Sequence, residues 1–149
     1  MSSFPNPAVI LNAVPDNSTI TFAQFSQTVG AQIANGIAFA SPETFSRSGS
    51  KITINCSKAG GTTTGPVTID TSTEISFDAT TTGAVTQVTD ISGIKVSESE
   101  GSGTLKSMTI TAEANGDYEV TGSVGVLFFS VPFTIVLNAD GEVISSSAS

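Results

Sequence analysis

Few side chains in this sequence can do acid–base or nucleophilic chemistry. There is no histidine, which removes His-activated nucleophiles, His general acid–base catalysis and most transition-metal sites. The one cysteine, Cys56, alternates with Ile52 and Ile54, so it falls on the apolar face of a strand, where burial raises a thiol's pKa and leaves it inert. Asp70, Glu74 and Asp78 share the polar face of a longer strand pattern. Residues four apart on a strand are about 13 Å apart, too far for one hard cation to bridge directly. Asn138-Ala139-Asp140-Gly141-Glu142 reads as a hairpin turn rather than a calcium loop. Glu98 and Glu100 flank Gly101-Ser102-Gly103, but a glycosidase pair needs a cleft lined by sugar-stacking aromatics, and the chain has no Trp and one Tyr. Gly60-Gly61 is followed neither by Lys-Ser/Thr nor by a helix start, so no phosphate loop is present. The sequence therefore assigns no catalytic residue, no metal ligand and no cofactor, and it leans away from an enzyme.

The composition narrows the partners. A chain of 149 residues reads as one domain, 1–149, long enough to bury a sizeable core. Charged residues are 12% of it, and the net charge is −8, which opposes nucleic acid and anionic lipid headgroups. Ser and Thr occupy 43 positions, so the polar surface is hydroxyl-rich rather than ionic. No stretch of about 18 apolar residues is available to span a bilayer, and no export signal opens the sequence. The expectation is a soluble protein, its compartment unassigned.

The element that must organise the rest is Val124 to Leu137, which has no charge and is apolar at odd and even positions alike from Val126. Read as one strand, it needs cover on both faces. Residues 1–20, with Pro5, Pro7 and Pro15, read as an extended arm. A helix is expected over 21–40: Thr21 and Gln24 make a capping box, Ile20 and Phe25 a hydrophobic staple, and Phe22, Phe25, Val29, Ile33 and Ile37 line one face. Its opposite face carries Gln24, Gln27, Thr28, Gln32 and Asn35 and no charge, which suggests enclosure against the Val124–Leu137 strand.

From residue 45 to 147 the period is that of strands. Val67 to Ala79 is long enough to require coiling, Gly93 marks a bulge, and Asn115-Gly116 and Asp140-Gly141 mark hairpins, the first as a two-residue type I′ turn. Pro132 implies a bend, a bulge or a sheet edge. The expected fold is α+β: one N-terminal amphipathic helix packed in a strongly curved antiparallel sheet, a partial or closed β-barrel, of six or seven strands.

Three functions fit this pattern. The first is a non-catalytic binding protein that holds a lipid-like or other hydrophobic small molecule in an apolar pocket between helix and sheet, lined by Phe22, Phe25, Val126, Phe128, Phe129 and Phe133. The second is a self-assembling structural subunit of a shell, tube or fibre, with the same apolar surface covered by further copies of the chain. The third is an enzyme that templates a hydrophobic substrate by shape, such as a cyclase or isomerase.

Overall fold

The computed structural model describes residues 6–64, 67–98, 101–126 and 129–148. In chain order the elements are α1 (Pro7–Ala13), β1 (Ser18–Thr21), α2 (Phe22–Val29), α3 (Ala31–Asn35), a 3-10 turn (Ala38–Ala40), β2 (Pro42–Ser48), β3 (Lys51–Cys56) and β4 (Gly60–Thr64). They continue as β5 (Val67–Thr82), β6 (Val85–Glu98), β7 (Gly101–Ala112), β8 (Tyr118–Val126), β9 (Phe129–Leu137) and β10 (Val143–Ala148). All ten strands belong to one sheet, ordered β1-β2-β3-β5-β6-β7-β8-β9-β10, with β4 also beside β5. Every pairing is antiparallel. Antiparallel sheet therefore dominates, but with ten strands instead of six or seven, and with short helical pieces instead of one N-terminal helix.

The sheet is curved and partly closed. β10 lies five places from β5 in the sheet order, yet the two come into contact. Two features produce the curl. β5 has 16 residues, an extended length of about 53 Å at strand rise, so it serves two partners in line: β4 opposite Val67–Thr71 and β3 opposite Glu74–Asp78. Its pairing with the other neighbour, β6, has a large irregularity, with one extra residue in β6 and then three extra in β5. Pairing with β5 jumps from Asp78↔Thr89 to Ser76↔Ser92 to Thr71↔Ile94, and Asp90 and Gly93 take φ of 51° and 90°. Extra residues in one strand sharpen its local twist and bend it. The expected bulge at Gly93 is thus part of this break.

The Val124–Leu137 stretch is not one strand. Val126 pairs with Phe129 and Tyr118 with Leu137, so the uncharged segment folds back on itself as the β8–β9 hairpin. Along β9, Val131, Phe133, Ile135 and Leu137 are buried, Ser130 and Pro132 are exposed, and Thr134 and Val136 are intermediate. The strand has one core face and one solvated face, as its neighbours do. Apolar residues at both parities came from reading two strands as one. Among the described pairs β10 reaches no further along β9 than Phe133, and Pro132 pairs with Ser123 of β8.

The loop at Asn115-Gly116 also differs from expectation. Gly116 N donates to the Glu113 carbonyl at 3.0 Å and Glu113 N donates to the Asp117 carbonyl at 2.8 Å, with Gly116 at φ 94°. This is a β-turn followed by a glycine in the left-handed region, the three-residue loop with a bulge, not a two-residue type I′ turn. Residues 138–142 repeat it, and Asn138 Oδ1 accepts from the amides of Asp140 and Glu142 at 2.9 and 3.0 Å.

Within the extended arm expected over 1–20, Pro7–Ala13 are helical, while residues 1–5 lie outside the described residues. Asn6 Oδ1 accepts from Ala8 N at 3.0 Å and Pro7 occupies the first helical turn, where a residue without an N–H and with fixed φ suits the geometry. At the other end of α1, Arg47 Nη1 donates to the carbonyls of Leu11 and Val14 at 3.1 and 3.2 Å, satisfying groups the helix leaves unpaired. Asp16 Oδ1 accepts from Gly49 N at 2.7 Å. The segment is thereby pinned to the β2–β3 hairpin.

The helix expected over 21–40 is broken at Gly30, whose φ of 95° separates α2 from α3, and again before the 3-10 turn. Its start is as read. Thr21 Oγ1 accepts from Gln24 N at 3.2 Å and Gln24 Oε1 accepts from Thr21 N at 2.8 Å. We expect Thr21→Ala to lower stability by about 1 kcal/mol; a chemical denaturation midpoint unchanged by the substitution would refute the role of the cap. Enclosure is not found, because Gln24, Gln27, Thr28, Gln32 and Asn35 are all exposed. α2 packs one face on β1, β2 and α1 instead of lying against Val124–Leu137. Phe25 stacks on Phe45 with ring centroids 4.4 Å apart and planes 20° apart, and both rings belong to the single cluster of buried apolar side chains.

Candidate functional site

The short helices close one end of the curled sheet. A cavity of about 20 Å³ lies there between Val9 and Ile10 of α1, Phe25, Ile33 and Ile37, and on the sheet side Tyr118, Asn138 and Gly141. The β9–β10 turn is tied to this cap: the Gln32 amide, oriented with its nitrogen toward the turn, donates to Asp140 Oδ1 at 3.2 Å. A space of this size holds about one water, whereas sites for drug-sized ligands run to about 300–1,000 Å³. Hollows of about 390 and 370 Å³ do exist, but as open depressions. One lies at the β7–β8 turn by Glu113, Asn115 and Asp117, the other beside the β5–β6 break by Asp70, Ser72 and Lys95.

Of the six residues expected to line a ligand pocket, Phe25 borders the cavity. Phe22 is partly buried and packs against Phe25, centroids 6.4 Å apart. Phe133 lies elsewhere, its ring against the backbone of Gly122 on β8; a Cβ built on that glycine would stand 2.8 Å from Phe133 Cζ. Phe128 and the side chains of Val126 and Phe129 lie outside the described residues. The backbone still locates β8's far end: Val126 is eight positions from Tyr118, about 26 Å at strand rise. Helical cap and far end of the hairpin are thus at opposite ends of the sheet. Sequence reading overlooked Asn6, Tyr118 and Asn138 at the cavity, and the only signal for any of them was Asn6 standing before Pro7 as a helix cap.

The acidic residues do not gather either. Asp70 stands opposite Lys95 and Glu74 opposite Asn55, while Asp78 accepts from Ser50 Oγ at 3.1 Å. Among the described residues no three Cys, Asp or Glu side chains form a group that could hold a metal ion. Glu100 and the side chain of Glu98 lie outside the described residues.

Cys56 is buried, and burial pushes its thiol pKa up, with the negative charge of Glu43 adding to the effect. The folded state therefore holds the proton more tightly than the unfolded chain does. The stability this contributes is complete below the ordinary thiol pKa and is lost as pH rises through the raised one. At neutral pH, iodoacetamide labelling of Cys56 should be slow in the native protein and at least ten-fold faster in denaturant. Equal rates would contradict this placement.

No helix among the described residues is long and apolar enough to cross a membrane. No protein-family model, curated protein or solved structure matches the chain, so the function must be argued from its own surfaces.

Proposed function

We propose that this chain is a self-assembling structural subunit. The observation that supports this reading is a sheet whose order, among the described residues, ends in β1 and β10, two strands that carry no charge. An edge strand presents backbone groups that another strand can complete, and proteins that remain single blunt such edges with very short strands and bulges, as in the four-residue β1 and the bulged β10, as well as with lysine or proline. Neither residue occurs in Ser18–Thr21 or Val143–Ala148. The hydroxyl-rich surface, with charge at only 12% of positions, lets copies approach with little desolvation of ions.

A second reading has one observation in its favour. The cavity beneath the cap is lined mostly by apolar side chains and covered by helices of five to eight residues. Displacing these pieces would enlarge it for a hydrophobic molecule. Native mass spectrometry of the full chain distinguishes the two. Oligomers that grow with protein concentration support the subunit, a monomer carrying an added lipid-sized mass supports the carrier, and a bare monomer at every concentration refutes the subunit reading.

A further inference from the structure

We infer that a hollow between α1 and the β5–β6 hairpin binds a small neutral molecule, about the size of phenol, that carries one hydroxyl or carbonyl group on an apolar body. The inference rests neither on assembly nor on any displacement of the helical cap. The hollow has a volume of about 140 Å³ and is walled by Ala8 and Asn12 of α1 and by Thr81 and Thr86, with Ile110 and Tyr118 beside them. Its polarity originates in the sheet register. One row across the strands runs Thr81, Thr86, Ile110, Val120, Ile135, and in it Thr86, Ile110, Val120 and Ile135 are all buried. β7, β8 and β9 thus set aliphatic side chains on the core face, where β5 and β6 set hydroxyls, with Thr81 Oγ1 and Thr86 Oγ1 2.8 Å apart. A buried hydroxyl costs free energy unless it is hydrogen-bonded. The bond between these two uses one of their two hydrogens, so the pair keeps a second donor and acceptor lone pairs for a polar atom seated in the hollow.

Size, charge and rigidity define the occupant. A volume near 140 Å³ is close to the roughly 150 Å³ that accommodates benzene and well short of the roughly 300–1,000 Å³ of drug-sized sites. No charged side chain lines the hollow among the described residues, so a carboxylate or an ammonium would enter without a counter-charge. The net charge of −8 disfavours anions further. Water bonds the hydroxyls but finds no partner at Ala8 and Ile110, where an apolar body is favoured. A few polar groups set in an apolar lining is the usual composition of a small-molecule site. The wall is also held in place, because Arg47 Nη1 donates to the Leu11 and Val14 carbonyls and fixes α1 on the β2–β3 hairpin. Binding therefore has little of the chain to order.

Titrations of the full chain with phenol and with toluene, followed by amide NMR, test this. Phenol should give saturable shifts centred on Ala84, Thr86, Ala112 and Tyr118. Thr86→Val keeps the side-chain shape and removes the hydroxyl, so the ratio of phenol to toluene affinity should fall about ten-fold. Thr86→Ser should retain the parent ratio, and taking a ratio cancels the greater hydrophobicity of toluene. Ala112→Leu, at an exposed position bordering the hollow, should fill it and weaken both probes. Saturable shifts centred instead on Phe25 and Ile33 of the cap, or no saturable shift, would overturn the site. An unchanged ratio in Thr86→Val would overturn the hydroxyl pair as the anchor, and with it the ligand class. The oligomeric state seen in native mass spectrometry bears on the subunit reading alone.

Discussion

Phe133→Ala is expected to destabilise the protein by about 3–5 kcal/mol, the usual cost of removing a fully packed phenylalanine from a core. The ring is 3% exposed, and it covers Gly122, the residue paired with it on β8. That glycine has no side chain to fill the space once the ring is gone. Val131 and Ile135, on the same face of β9, are also buried, and their strand register prevents them from moving in. Had Phe133 lined a ligand pocket, its neighbours would never have closed on it, and truncation would cost only about 1 kcal/mol while abolishing binding. Urea denaturation of wild type and variant separates these outcomes. A loss near 1 kcal/mol would restore Phe133 to the candidate binding surface.

How much of this was legible in the sequence depended on whether a local signal had a competitor. The capping box at Thr21 and Gln24 had none, and both its hydrogen bonds are made. Alternation through Ile52, Ile54 and Cys56 marked the core face of β3, and all three are buried. The β8–β9 hairpin was illegible because Val126-Leu127-Phe128-Phe129 contains no glycine, proline, asparagine or aspartate to announce a reversal. A continuous apolar run is then read as one long strand. β4 was hidden for the opposite reason: Gly60-Gly61-Thr62-Thr63-Thr64 has no apolar residue to set a period, and only its pairing with β5 makes it a strand. The broken helical segment shows a third limit. The spacing from Phe22 to Ile37 satisfies one continuous helix, and a single glycine with a positive φ was enough to redirect its second half. The site was the least legible part, because a pocket is a property of where chain ends meet and no local period records that.

Gly93→Ala should cost about 2–6 kcal/mol, and it tests whether the break between β5 and β6 is a structural requirement of the curl. Two penalties coincide at this position. With φ at 90°, any L side chain is strained, at about 1–3 kcal/mol for a sparsely populated conformation. A Cβ there would also overlap the Glu74 carbonyl oxygen and stand 2.8 Å from Ser72 Oγ. Both partners belong to β5, so relief requires the two longest strands to move apart, and forced overpacking of this kind costs about 1–3 kcal/mol more. Gly49 supplies the comparison. It too has a positive φ, 63°, but a Cβ would meet nothing within 4 Å, so Gly49→Ala should cost about 1–2 kcal/mol from backbone strain alone. The difference between the two variants isolates the close approach of β5 and β6 from the conformational term. If Gly93→Ala proves no worse than Gly49→Ala in thermal or urea denaturation, the strands can separate there freely, and the curl must come from the length of β5 and its two in-line partners instead of the break between β5 and β6.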